Sequence, residues 1–585
     1  MRLKNRRDLL ALCGLVAATY LVHFLLLPRF GLYEDDYLYI ARPMTQSWAQ
    51  VQHYLLATLT HWPQGRPLGL SIPVVVAYLG NKFGGLDLVY LIGYAVIATN
   101  VALAFVLLRR LAPLLPAVAG ALVFCLYPAD TTKIFLTHSL CLQTAWTFAL
   151  LAALAWLDGR TRLFYVLAFL PLIIYESMIL PLFAIPLLRA EASRVFARRY
   201  ARHVMGLLLL VAVYALVRYF LFEEGRLTGT LQGSPLDLAV SVFSSVAVGP
   251  LLSAATFLSR PVTLLTHSNV SAWIFTVVFF MVTLIALRFS VRTTETIGPS
   301  GVSPGESSLS FTASGLSVAL RLEYPGVWGN AGRLVLTGLV MWPLSYLLAF
   351  THWPPEALAG RTASATHMAA ALSAPLVITG LLSLVFAADG PCARCGPRAR
   401  RWATAGVSLY LSLLAGFQFL VQQDYAEGWK RQKEFWRQVV TLTPDIDERS
   451  VVVVPDGSLQ NTEANYIMAR SWGNLITFYY LYNFENAFRT RTPRVAFLDQ
   501  ALARSLMVVN GQLYWEAPRF AGGYIDSARE RIDPRNIIVL RLRDGKMERY
   551  IGVMNATGGR VRIREARAAT NYETTAVYDV IMDQE

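Results

Sequence analysis

The sequence predicts an α-helical polytopic membrane protein with a small α/β domain at its C-terminal end, outside the membrane. Three observations lead there. Apolar residues form 55% of the 585 positions, mean hydropathy is +0.44, and apolar runs near the ~20 residues that cross a bilayer core recur as far as Val421. Arginines gather in short segments between these runs, at Arg109-Arg110, at Arg160 and Arg162, from Arg189 to His203 and up to Arg401, as cytoplasmic loops require. Beyond Gln422 the long runs stop and strand and turn signals begin. Topology therefore explains the formal charge of +14, and no nucleic-acid surface is needed.

Taken in order, Arg2, Lys4, Arg6 and Arg7 precede the first run, Leu9 to Pro28, and keep the N-terminus cytoplasmic. No small-residue cleavage site precedes Pro28, so the run is read as an uncleaved span. The stretch Tyr33-Glu34-Asp35-Asp36-Tyr37 then emerges on the outer face. Pro43 to Trp62 reads as an amphipathic segment with aromatic anchors. Leu68 to Phe83 is short, and a full crossing there would put Arg109-Arg110 outside. It is placed as an outer-surface or re-entrant helix before the span Leu86 to Leu108. Leu114 to Tyr127 and His138 to Leu157 form the next two spans, and Leu163 to Leu188 reads as two short spans meeting outside at Tyr175-Glu176.

Val204 to Phe222 leads out, and Leu236 to Leu258 is expected to be interfacial because Ser, Gly and Pro interrupt it. Trp273 to Leu287 returns, and a Ser/Gly/Thr-rich cytoplasmic linker occupies about 290–333. Leu334 to Phe350, Met368 to Ala388 and Trp402 to Val421 complete about eleven spans. The resulting expectation is a multi-pass plasma-membrane protein of the bacterial inner-membrane kind, with residues 1–421 as the membrane module and 422–585 as an extracytoplasmic domain. In that domain Ser450 to Val454 reads as a buried strand, and Ile537 to Leu542, Asp544-Gly545 and Met547 to Val553 as strand, turn and strand. No glycine-rich nucleotide fingerprint follows either strand. Cys392 and Cys395 form a single C-x-x-C in a basic loop and lack the second ligand pair of a zinc ribbon, so no metal site is assigned.

Chemical groups concentrate on the outer loops: Asp35 and Asp36, Arg66, Asp130 and Lys133, His138, Glu176, Glu223, Arg361 and His367. Nucleotide sugars and ATP lie on the other side of the membrane, so group transfer here needs an activated donor that arrives in the bilayer. A polyprenyl phosphate sugar meets that need. Its phosphate leaves as a stable anion, so transfer requires a carboxylate base for the acceptor and cations for the phosphate. Asp35 and Asp36 are adjacent and point in different directions, so only one easily faces a common centre. Arg66 before Pro67 suits either phosphate or lipid headgroups, Lys133 and His138 sit where snorkelling is ordinary, and Glu176 can equally cap a short helix. Small residues around Arg361 leave its guanidinium able to fork onto phosphate.

An acidic pair after the first span, Gly65-Arg66-Pro67-Leu68 opening the next helix, Tyr175-Glu176 between short spans and an arginine-bearing late loop together resemble the GT-C superfamily of integral membrane glycosyltransferases, of the protein mannosyltransferase or aminoarabinose transferase type. The resemblance covers about Leu9 to Val421. It implies a catalytic base at Asp35 or Asp36, with Asp35 favoured as the first acid, and a second carboxylate at Asp130, with Glu176 a further acidic candidate. It also implies donor-phosphate binding by Arg361 with His367 beside it; Arg66 and Lys133 are the further cationic candidates. The late loop departs from the pattern in lacking a following tyrosine. The expected function is inverting transfer of a sugar from a polyprenyl phosphate donor to a glycan, lipid or protein acceptor. No further cofactor is expected, and a divalent-metal requirement stays open. A polymerase or ligase of lipid-linked glycans, centred on the long segment Glu223 to Ala272, a transporter and a non-catalytic scaffold are the alternatives.

Overall fold

A computed structural model describes residues 6–62, 65–190, 193–221, 234–295, 327–349, 362–386, 396–484, 494–498, 506–521, 524–563 and 565–583. Arg361, Glu223, Cys392, Cys395 and most of the linker lie outside these residues. Among them, seven helices are long and apolar enough to cross a membrane, and an eighth arises if the pair Ser364–Ala370 and Ser373–Val385, bent by 46°, is one span. That is fewer than the about eleven expected from apolar runs. Two of the expected spans are short helices, Leu114–Cys125 and Thr161–Ile174. The second stops where Tyr175 turns extended, and 3-10 turns replace it over Glu176–Phe183 and Ile185–Arg189. Pro181 and Pro186 lie in these turns, where an α-helix would lack their amide donors.

Pro235–His267 differs from its expectation in the other direction. It is one continuous helix of 33 residues with Pro250 and Pro261 inside it, although Ser, Gly and Pro suggested an interrupted surface segment. Neighbouring helices re-satisfy freed backbone groups in such a setting; Tyr410, for example, donates its hydroxyl to Phe257 O at 2.9 Å. The short helix Pro67–Phe83 forms a hairpin with Gly85–Arg109.

The element that joins the two ends of the molecule is the helix Gly396–Leu442. At 47 residues and about 1.5 Å each, it outruns the ~30 Å of a hydrocarbon core, and it passes Gln422 without a break. There Gln422 accepts from Leu26 N and donates to Leu21 O and Val22 O, which ties it to the end of the first helix, Arg6–His23. Farther on, Trp429 lies across Gly31, where a Cβ would fall 1.8 Å from the indole. Only glycine permits that contact. One apolar core consequently runs from Phe24, Tyr33, Tyr37 and Tyr90 through Trp429 and Trp436 to Val452, Val454, Ile538 and Leu540.

Among the described residues the C-terminal region carries three sheets. β1 (Val451–Pro455) pairs in parallel with β2 (Arg494–Leu498) and with β6 (Ile537–Arg543), and β7 (Lys546–Tyr550) adds antiparallel to β6. β3 (Leu506–Val509), β4 (Gln512–Ala521) and β5 (Tyr524–Ile532) form an antiparallel meander, and β8 (Gly552–Ala556) pairs with β9 (Gly559–Ile563). β1 is buried on both faces, as a central parallel strand of valines should be. The β6–β7 turn is the expected Asp544-Gly545, both residues at positive φ.

Candidate functional site

The acidic loop separates its three carboxylates. Glu34 is buried in a left-handed conformation (φ 38°), and its Oε1 accepts from Met468 N at 3.2 Å. Asp36 is fully buried. Its Oδ1 accepts from the Thr137 amide at 2.8 Å and hydroxyl at 2.7 Å, and its Oδ2 from Tyr33 N at 3.3 Å. Burial pushes the Asp36 carboxyl well above the usual carboxylate range, and these donors oppose the push. Asp35, between them, stays half-buried. Flanking contacts hold the loop in place: Tyr33 donates to Tyr425 O, Tyr37 to Gln432 Oε1, and Gln432 Nε2 to Leu32 O. The loop after the acids is pinned as well, by Asn81 Nδ2 donating to Met44 O at 2.8 Å.

Asp130 and Lys133 lie in the next loop and are both buried. Asp130 Oδ1 accepts from Thr132 N and Oγ1, whereas Oδ2 is sealed without a partner. Lys133 donates to Phe124 O and Cys125 O at the end of Leu114–Cys125, the carbonyls a helix end leaves open. Burial raises the Asp130 carboxyl and lowers the Lys133 ammonium, and their mutual attraction opposes both shifts.

Arg66 and Glu176, 110 residues apart, meet in a bidentate pair, Nε to Oε2 and Nη2 to Oε1, each 2.8 Å. The Arg66 guanidinium also lies 4.1 Å from the Tyr175 ring centroid. Arg218 approaches the same Oε1 at 3.7 Å, with its neighbour Tyr214 donating to Gly65 O. Gly65 has φ +70°, and a Cβ there would come within 2.5 Å of Arg218 Nε. The three charged side chains are 16%, 18% and 13% exposed. Two guanidiniums face one carboxylate. Tyr39 connects it to the acidic loop: burial raises this phenol, Asp35 adds to the rise, and Arg66 opposes it. Asp35 and Arg66 therefore both lie within electrostatic reach of one buried side chain.

His367 is buried with its Nδ1 2.7 Å from the Tyr346 hydroxyl. Its shown partner is Tyr346, while Arg361 falls outside the described residues. Sequence reasoning missed Arg218 and Arg260. The latter is buried on Pro235–His267, 5.0 Å from the Phe417 ring centroid and 5.6 Å from that of Tyr466. The available signal was a cation inside an apolar run, which is costly without a role. Among the described residues no group of three or more His, Cys, Asp or Glu could hold a metal ion. No family model, curated protein or solved structure matches the chain.

Proposed function

We propose that the chain is a GT-C-type glycosyltransferase that moves a sugar, with inversion, from a polyprenyl phosphate donor to a glycan, lipid or protein acceptor on the outer face of the plasma membrane. One observation carries it: of the three loop acids only Asp35 stays half-buried, and Tyr39 lies within electrostatic reach of both Asp35 and Arg66, the arginine paired with Glu176. Asp35 takes the proton of the acceptor hydroxyl as that oxygen attacks the anomeric carbon. The bond from that carbon to the phosphate oxygen breaks, and the polyprenyl phosphate leaves with the electron pair. Single displacement inverts the centre, and the guanidinium cluster stabilises the charge gathering on the leaving phosphate. The described part of the segment Glu223 to Ala272 is largely the helix Pro235–His267, which leaves little of the large loop a polymerase or ligase would use.

The proposal includes a cytoplasmic N-terminus, an outer C-terminal domain and about eleven crossings, short ones counted. Reporter fusions after Arg110, Arg202 and Arg400 should report cytoplasm, and after Asp130, Arg361 and Gln422 the outside. Lipid extracts of a deletion strain test the chemistry. Accumulation of one polyprenyl phosphate sugar is the expected result, and an unchanged lipid-linked sugar pool overturns the function.

A further inference from the structure

A cavity of about 460 Å³ opens in the C-terminal region, between the amino ends of β1, β2 and β6 and the meander of β3, β4 and β5. That size lies within the ~300–1,000 Å³ of ordinary ligand pockets. Its floor is held by an ion pair between the two sheets: Arg494, the first residue of β2, donates Nη2 to Glu530 Oε2 on β5 at 2.6 Å. The same guanidinium lies 5.3 Å from the ring centroid of buried Trp515 on β4. Gln512 stands at the rim, directly after the two-residue turn Asn510-Gly511, both at positive φ. Tyr514 donates its hydroxyl to Gln512 Oε1 at 3.1 Å, which orients the amide and leaves its N–H donors uncommitted among the described residues. Arg449 and Arg531 line the walls with exposed side chains. Unlike Arg494, neither of their guanidiniums has an ion pair among the described residues.

The cavity stands at the end of the molecule remote from the first helix. Leu442, where the long helix ends, lies ~30 Å along its axis from Gln422 at ~1.5 Å per residue. Phe497, opposite Val454, stacks on Phe435, and Asn461, farther along the chain, accepts from Arg431 at 2.8 Å. β1 therefore runs back along the helix, and its amino end is the distant one. Headgroups add only ~5–7 Å to each side of a hydrocarbon core, so a bilayer lipid does not reach this place, whereas an extended soluble chain does. We propose that the cavity binds an acidic oligosaccharide, the outlying part of a glycan acceptor. Guanidiniums without a counter-charge select carboxylate or phosphate, and the amides of Gln512 and Asn536 both donate to and accept from hydroxyls. Val451, Leu513 and Ile532 of the lining are buried in the sheet core, which leaves no apolar anchor of the kind that peptide grooves use. The inference rests on the transfer reading for calling this ligand an acceptor, and on the cavity alone for its binding.

The test is calorimetric titration of the full-length chain in detergent with trigalacturonate as the carboxylate probe, mannose monophosphate as the phosphate probe and maltotriose as the neutral one. At least one anionic probe should bind the wild type, with maltotriose about tenfold weaker or worse; the tighter anion identifies the acidic group. Arg449→Gln and Arg531→Gln should each weaken that binding about tenfold, the loss of one hydrogen bond to a charged group, and should unfold at the wild-type temperature because both side chains are exposed. Arg560→Gln, an exposed arginine of β9 outside the cavity, removes the same charge and should bind as the wild type does. The inference is overturned if neither anion binds, if maltotriose binds equally, if both cavity variants bind like the wild type, or if Arg560→Gln loses as much as they do. Binding as expected together with an unchanged lipid-linked sugar pool in the deletion strain would overturn the transfer reading and leave this site standing.

Discussion

Two places in this molecule bring carboxylates and arginines together, and they do so differently. In the C-terminal region Asp445, with a fully buried side chain, accepts from Arg549 Nη2 at 3.0 Å and from the Arg567 amide at 2.9 Å, while the Arg567 guanidinium turns to Asp447 at 3.4 Å. Each carboxylate has its own arginine, and the charges close. At the Arg66 site one carboxylate, Glu176, faces both Arg66 and Arg218. A closed pair holds elements together, in this case β7 and the end of the long helix. One carboxylate set between two guanidiniums instead orients both at a single place.

The sharpest way to break the comparison is to neutralise one acid in each region. Asp35→Asn should lower transfer by about 10²- to 10⁴-fold, the usual contribution of a positioned base, while thermal unfolding stays where it was. Asp445→Asn should do the reverse, destabilising by about 3 kcal/mol with turnover per folded molecule unchanged. If Asp35→Asn unfolds the protein instead, the acid is structural like its neighbours.

Glu176→Gln comes next. It strips the counter-charge from two guanidiniums that are under a fifth exposed, so about 3 kcal/mol of stability should go. Arg218→Ala should cost far less, because its guanidinium lies 3.7 Å from the carboxylate against 2.8 Å for Arg66, and should lower transfer by removing a cation from the cluster. Equal destabilisation by the two variants would mean that the cluster is a closed structural network.

A pH titration separates the regions further. Burial alone would raise the Asp445 carboxyl, but the Arg549 hydrogen bonds and the Arg567 amide hold it below the usual range. A carboxyl lower in the folded than in the unfolded state contributes stability fully above the unfolded value, about 4, and loses it as pH falls through the folded one. Resistance to chemical denaturation should therefore weaken below about pH 4, and Asp445→Asn should flatten that decline. The smallest effect belongs to Glu34. Glu34→Ala removes the acceptor of Met468 N and should cost about 1 kcal/mol, whereas Glu34→Gln keeps an acceptor and should cost less.

Much of the fold was legible because its determinants are local. The valines of β1, the Asp544-Gly545 turn and the first apolar run each carry their signal within a few residues. Pro235–His267 is continuous although Pro250 and Pro261 break helices by local rules; packing overrides them here. Of the site, Asp35 and Asp36 stood out as charges beside a membrane, and so did Arg66 and Glu176, singly. Arg218 did not, because it lies within an apolar run that was read only for its length.

By itself the sequence determined which residues are apolar enough to enter a bilayer, where the basic clusters fall and which acids follow the first apolar run. Transfer free energy and local turn chemistry act residue by residue, and a linear reading can add them up. Only the tertiary structure decided that Asp36 is taken up by Thr137, 101 residues away, that Glu34 anchors the C-terminal region, and that Arg66 closes onto Glu176 with Arg218 beside it. Those outcomes depend on which donors meet which acceptors after packing. Charge compensation and hydrogen bonding are short-ranged in space and indifferent to separation along the chain.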